Sequence, residues 1–244
     1  MIHAVLFDLD NTLLENDMAR FIPSYLQALS TYMADLFSPE RFVHCLLSAT
    51  KAMTTNTDPS STNREAFDAL FFPCLKSTRE ELEPRFERFY VEHFPRLAHL
   101  TRARDAARSV MEWAFAQGVQ VAIATNPLFP RLAIEHRLSW ASVPVEEFPY
   151  HLVTSYENMH ATKPHPDYYF EIAERLGRQP GACLLVGDDW AMDIRPAQST
   201  GMMTYWIAGA DSIHPSGERP ADGQGSLADF ARWIDRRVGQ VTRG

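Results

Sequence analysis

Four consecutive apolar residues, Ala4-Val5-Leu6-Phe7, give way abruptly to Asp8-Leu9-Asp10-Asn11-Thr12. An apolar run without alternation predicts a strand covered on both faces, the setting of a parallel sheet with helices on each side. Side chains alternate along a strand, so Asp8 and Asp10 are expected to point the same way and share one small volume. Two ionised carboxylates at the dry end of such a strand repel each other, and burial penalises both. The pair needs a cation, a shared proton or a solvated exit, and a hard divalent ion such as Mg2+ fits best. Taken alone, the motif is equally compatible with an Asp-x-Asp turn in solvent.

The 244 residues suffice for one large domain, or a core domain with a smaller companion. A net charge of -8 offers nucleic acid and anionic lipid no general attraction, so neither is an expected partner. The apolar start is too short for a signal sequence, and no run approaches the roughly twenty apolar residues of a membrane span. A cytoplasmic protein is expected. Cys45, Cys74 and Cys183 are odd in number, scattered and without a Cys-x-x-Cys pair. They predict neither a disulfide framework nor a zinc site and read as reduced packing residues.

From residue 15 to about 100 the pattern is helical throughout. Ile22, Tyr25, Leu26, Leu29, Met33 and Leu36 keep helical spacing, as do Val43, Leu46, Leu47 and Met53, with a break near Ser38-Pro39. Thr54 to Thr62 reads as a loop, and Arg64 to Leu75 as a short helix. Ser77 and Glu80 form a capping-box pattern before a fourth helix that Pro95 is expected to end. From Thr101, a plausible helix cap, the texture alternates between helix and strand. Strands are predicted at Val119 to Ala124, Tyr150 to Thr154, Ala182 to Val186 and Met203 to Ile207, and helices at Arg131 to Leu138, from Pro166 to Gly177 and from Ile194 to Thr200. Residues 208 to 226 read as a long surface loop, and Leu227, Phe230, Ile234 and Val238 as a last amphipathic helix.

This alternation is the signature of an α/β fold, a Rossmann-like parallel sheet whose ligands bind at the carboxyl ends of the strands. Three predicted strands end in chemically able residues: Asp8 and Asp10, Thr125, and Asp188 with Asp193. Carboxylates for a cation, with a hydroxyl and the nearby Lys163 for an anion, point to phosphate and Mg2+.

In these features the chain resembles the haloacid dehalogenase superfamily of phosphatases, over nearly its whole length. Asp8-Leu9-Asp10-Asn11-Thr12 is similar to the family's first motif, Thr125 to the second, Lys163-Pro164 to the third, and Gly187-Asp188 with Asp193 to the fourth, all in order. The resemblance implies a catalytic core of residues 1–14 and 101–244 and an inserted all-helical cap over residues 15–100. It also implies a small-molecule phosphoester substrate, with Asp8 as nucleophile, forming an aspartyl phosphate, and Asp10 as acid and then base. Thr125, the Asn126 backbone N–H and Lys163 would hold the phosphate. Mg2+ would sit among Asp8, the Asp10 carbonyl and Asp188, with Asp193 acting through water or orienting Lys163.

Each residue has a plainer reading: Thr125 as a strand-end turn, Lys163 as a solvated lysine, Asp193 as the N-cap of the helix at Ile194. His160 and His165 flank Lys163 without a ligand pattern and read as structural. Asp189 and Trp190 depart from the family pattern, Asp189 as a competing metal ligand and Trp190 as either packing or substrate contact. Thr54 to Thr62 and Phe71-Phe72-Pro73 are expected to set specificity. A phosphomutase would use the same core. A dehalogenase needs neither an acid nor Mg2+, against Asp10 and Asp188. A phosphoacceptor signalling module would carry its aspartate on a mid-chain strand.

Overall fold

The computed structural model of the protein describes residues 1–209 and 212–238. The chain opens with β1 (Ala4–Phe7) and reverses into β2 (Leu14–Asn16). Asn11 stands at the corner with φ +59°, a left-handed conformation that Asn tolerates better than most side chains. The N–H groups of Leu13 and Leu14 close the turn on the Leu9 carbonyl at 2.9 and 3.0 Å.

Four α-helices follow: α1 (Met18–Tyr32), α2 (Pro39–Thr54), α3 (Asn63–Leu75) and α4 (Arg79–Arg88). Asp17 and Ser38 cap the first two, and α3 and α4 open with capping boxes, Thr62 with Glu65 and Thr78 with Glu81. The box expected at Ser77 and Glu80 is therefore shifted by one residue. Ser77 instead donates to Glu81 from outside the helix, at 2.6 Å. Pro95 does not end α4. The path widens into a π turn at Phe89–His93 and then tightens into a 3-10 segment at Phe94–Leu100, whose first turn accommodates Pro95 because no N–H is needed there.

Thr101 caps no helix; it starts β3 (Thr101–Ala103), which pairs antiparallel with β2. Glu15 and Asn16 thus lie on a strand within the stretch expected to be helical, and the helices enter and leave through a two-stranded ribbon. The chain continues through α5 (Ala107–Ala116), β4 (Gln120–Ile123), α6 (Arg131–Trp140), β5 (Leu152–Val153), α7 (Pro166–Arg175) and β6 (Cys183–Gly187). It finishes with α8 (Arg195–Ser199), β7 (Met203–Ile207), β8 (Gly223–Gly225) and α9 (Leu227–Val238). Within the expected loop 208–226, β8 adds an edge strand beside β7. Residues 210 and 211 of that loop, and the side chain of Val238, lie outside the described residues.

All six strands of the main sheet run parallel, in the order β5-β4-β1-β6-β7-β8. β1 is central, with Phe7 in register with Ile123 of β4 and Val186 of β6. Its alternation divides the core. Val5 and Phe7 join one buried cluster with Val121, Ile123, Leu184 and Val186, whereas Ala4 and Leu6 join a second with Tyr168, Tyr169 and Ile172 of α7. The first cluster continues without a break into Phe21, Phe42, Phe71 and Phe94, so the inserted helices share a core with one sheet face.

The start of α3 is tied to the loop before α7. Asn63 N–H donates to the Met159 carbonyl at 2.8 Å, its side-chain amide to the Ala161 carbonyl at 3.2 Å, and Arg64 N–H to the Tyr156 carbonyl at 2.8 Å. Cys45 of α2 and Cys74 of α3, expected as reduced packing residues, are joined by a disulfide across a Cα separation of 5.7 Å, while Cys183 is free and buried. Spacing could not show this, because the pairing depends on the antiparallel contact of the two helices. Among the described residues no helix is long and apolar enough to cross a membrane.

Asn63 is fully buried, so Asn63→Ala removes a bond that water cannot replace. The expected loss is about 1–3 kcal/mol, read as a lower urea midpoint at unchanged slope.

Candidate active site

The sheet order places three strand ends side by side. Because β1 lies between β4 and β6, Asp8 emerges flanked by Thr125 on one side and Asp188 on the other. Lys163 arrives from the loop before α7. Its ammonium donates to Asp8 Oδ1 and to Asp193 Oδ1, both at 2.6 Å, and all three side chains are buried. Asp193 is fixed from its other side by the Asp189 N–H, at 3.2 Å.

Gly187 is required at this point. A Cβ there would lie 2.6 Å from the Asp193 carboxyl carbon, so only glycine lets the strand end approach that side chain. Trp206 on β7 donates to the Asp188 carbonyl at 2.7 Å, and Thr12 reaches Asp188 Oδ1 at 3.5 Å.

Asp8, Asp188 and Asp193 each offer an oxygen, and these oxygens lie within 4.8 Å of one another. Ionised together, three carboxylates against one ammonium leave two uncompensated negative charges. Burial raises the proton affinity of Asp8 well above the usual carboxylate range, Lys163 opposes the rise, and Asp193 and Asp188 add to it. Asp188 is pushed up to about 7, by burial and then by Asp193. Burial would lower Lys163, but Asp193 and Asp8 hold it well above its ordinary value, so it remains an ammonium. An all-oxygen donor set short of two positive charges matches a hard dication, the chemistry of Mg2+.

Asp10 does not share this volume. Its Oδ1 accepts from the Asn16 side-chain amide at 2.8 Å and its Oδ2 from Arg137 Nη2 at 2.7 Å. The same Arg137 nitrogen donates to Thr125 Oγ1 at 3.2 Å. The two aspartates therefore diverge into separate pairs, because the chain turns immediately after Leu9 and strand alternation does not extend through Asp10. Of the expected metal ligands, the structure gathers Asp8, Asp188 and Asp193, whereas the Asp10 side chain faces Arg137. Thr125 is buried, its carbonyl accepting from Thr154 Oγ1 at 2.7 Å and the Tyr168 hydroxyl at 2.8 Å. Asn126 braces Lys163 by accepting its backbone N–H at 3.3 Å.

Arg137 and Asn16 escaped the sequence reading. Ala133, Ile134, Leu138 and Ala141 are all buried, so helical spacing puts Arg137 on the inward face of α6, where an arginine needs a partner. That was the available signal. The plainer reading of Asp193 as a helix cap fails, because it lies inside a π turn, Trp190–Ile194, that runs straight into α8, and Asp189 caps that turn by accepting from Ala191 and Met192 N–H at 2.8 and 2.9 Å. Trp190 packs against Trp206, with ring centroids 5.0 Å apart, and donates to Glu218. His160 pairs with Glu171 at 2.8 Å, and His165 caps α7.

A family model for haloacid dehalogenase-like hydrolases matches residues 2–201. A curated relative, the pyrophosphatase PpaX of Bacillus cereus (strain AH820), is 26% identical over 207 residues, covering 85% of this chain and 83% of its own. Among solved structures, a 2-haloacid dehalogenase from Pseudomonas syringae pv. Tomato DC3000 superposes with a TM-score of 0.64 at 21% identity, covering 97% of this chain and 99% of its own. A HAD phosphatase from Thermococcus onnurineus gives 0.57 at 23% identity, covering 96% and 98%. At these identities the two structures speak for the fold.

The raised carboxyls give the metal-free protein a definite pH dependence. Between the ordinary carboxyl value and about 7, the folded protein holds a proton on Asp188 that the unfolded chain has released. Stability in EDTA should therefore fall as pH rises from about 4 to about 7. A thermal midpoint that rises through that interval would contradict the assigned direction.

Proposed function

Because the chain belongs to the haloacid dehalogenase-like hydrolases, we propose that it is a Mg2+-dependent phosphatase acting on a small phosphorylated metabolite through an aspartyl-phosphate intermediate. The observation that carries this reading is Lys163 buried between Asp8 and Asp193, with Asp188 alongside. Such a site suits a phosphoryl group and a dication together. Asp8, Asp188 and Asp193, with the Asp10 carbonyl, would hold Mg2+, which when bound offsets phosphate charge and fixes the phosphoryl group for in-line attack.

In the first step a carboxylate oxygen of Asp8 attacks phosphorus, and the bond to the leaving oxygen breaks with its electron pair on that oxygen. Asp10 supplies the proton that the leaving oxygen takes up. In the second step Asp10 takes a proton from water as the water oxygen attacks phosphorus, and the bond to Asp8 breaks, freeing phosphate. Lys163 neutralises charge on the transferring group, while Thr125 and the Asn126 N–H hold its oxygens. Arg137 and Asn16 are positioning residues, since each bonds Asp10 without being a proton donor or acceptor in either step.

Residues 15–100 would form a helical cap that excludes water from the phosphoenzyme, with residues 1–14 and 101–244 as the core. A small substrate follows from that cover. A phosphorylated metabolite also implies a cytoplasmic setting, against which the Cys45–Cys74 bond pulls, since cytosolic thiols are kept reduced.

The test is hydrolysis of an aryl phosphate with and without Mg2+, followed by a metabolite panel that includes inorganic pyrophosphate, given the relative of that name. Turnover should require Mg2+, vanish in Asp8→Asn, and fall by about 10²–10⁴ in Asp10→Asn. Metal-independent turnover, or an active Asp8→Asn, would defeat the proposal.

Positioning by Arg137 has its own signature. Arg137→Ala should lower kcat by about tenfold or more, with a smaller change in KM, and added guanidinium should restore part of the loss.

A further inference from the structure

The substrate class can be narrowed from a cavity of about 450 Å³ between the inserted helices and the core. Ile22 and Leu26 of α1, Leu47 of α2, Phe67 of α3, and Leu128 and Phe129 from the loop after β4 are among its lining residues. The volume is that of a site for a small organic group.

Apart from Arg64 and Glu87, the polar side chains on the walls are engaged in hydrogen bonds or ion pairs. The Tyr25 and Tyr90 hydroxyls bond at 2.8 Å. Arg79 forks onto Asp68 at 2.6 and 2.8 Å and reaches Glu83 at 2.9 Å, and its charge also bears on the Tyr156 hydroxyl. Arg131 pairs with Glu135 at 2.6 Å, and Glu157 accepts the Arg131 N–H at 3.0 Å. Arg64 lies in the field of Asp68. Walls so arranged offer few hydrogen bonds to the hydroxyls of a sugar, and burying those hydroxyls unpaired is unfavourable.

The cavity adjoins the acid–base side of the site. Leu128 N–H donates to the Asn126 carbonyl at 2.8 Å, and two residues of chain span no more than about 7 Å. The Arg137 guanidinium carbon lies 5.2 Å from the Phe129 ring centroid, and the same guanidinium bonds Asp10. An ester with its phosphate between Asp8 and Lys163 must direct its alcohol toward the residue that protonates it. That residue is Asp10, which Arg137 links to the cavity wall.

We propose that this cavity receives the leaving group, and that the preferred substrates are phosphate esters of apolar, aliphatic or aromatic alcohols. The inference rests on the phosphatase reading above. Two readouts separate them: turnover of a straight-chain alkyl phosphate series from methyl to octyl, and calorimetric binding of the matching alkylphosphonates, whose carbon–phosphorus bond this chemistry does not cleave. In the Mg2+-loaded enzyme, kcat/KM and phosphonate affinity should each rise about fourfold per methylene until the cavity is filled. In Leu47→Glu, where the altered side chain is half exposed and folding is not at risk, the octyl-to-methyl ratio should fall by at least tenfold, and Leu26→Glu should act likewise. Turnover that is flat along the series, or a slope unchanged in both variants, overturns the cavity assignment and leaves the phosphatase reading in place. Phosphonate affinity that climbs with chain length while no ester is hydrolysed overturns the phosphatase reading and keeps the cavity as an apolar binding site.

Discussion

The bond that the rest of the site depends on is the double contact of Lys163 with Asp8 and Asp193, both at 2.6 Å. A buried ammonium is tolerable only with charge partners, and buried carboxylates only with cations or protons. Lys163 meets part of that need for three acids. The remainder, when all three are ionised, is two negative charges among Asp8, Asp188 and Asp193, the deficit that a dication could offset. Neighbouring features serve this contact. Gly187 clears room for Asp193, Asp189 N–H fixes its second oxygen, and the Asn126 side chain holds the Lys163 backbone.

Asp10 belongs to a second, separate charge balance with Arg137 and Asn16. The division has chemical sense. A nucleophile should stay close to cationic charge, whereas a proton carrier should be aimed by groups that do not themselves exchange protons at neutral pH. Arg137 suits the latter, because a guanidinium is always charged, and its Nη2 donates to Asp10 Oδ2 and to Thr125 Oγ1. By reaching Thr125 as well, it ties Asp10 to the strand end beside Asp8.

Much of this was legible in the sequence for a simple reason. Buried parallel strands must be apolar, so polar residues at their ends stand out, and Asp8, Thr125 and Asp188 were visible on that ground alone. What escaped was set by tertiary contact. Arg137 is one charge among buried alanines, isoleucine and leucine, and its meaning appears only when α6 packs beside the β2–β3 ribbon and Arg137 reaches Asp10. The cysteine pair depends on two helices packing side by side. Pro95 looked like a helix end because its missing N–H forbids a regular α turn, yet a π turn followed by a 3-10 segment carries the chain on. Thr101 had the composition of a cap but the position of a strand, since β2 awaited a partner.

The central position of β1 has a consequence for how the molecule is made. β1 is made before both of its sheet neighbours, residues 120–123 and 183–187, which lie far downstream in the sequence. During synthesis the strand carrying Asp8 therefore waits unpaired while the helices of residues 18–88, whose contacts are more local, can already form. Asp8 meets its charge partners last of all, because Lys163, Asp188 and Asp193 all lie in the final third of the chain. The site can come into being only once the chain has been made as far as Asp193.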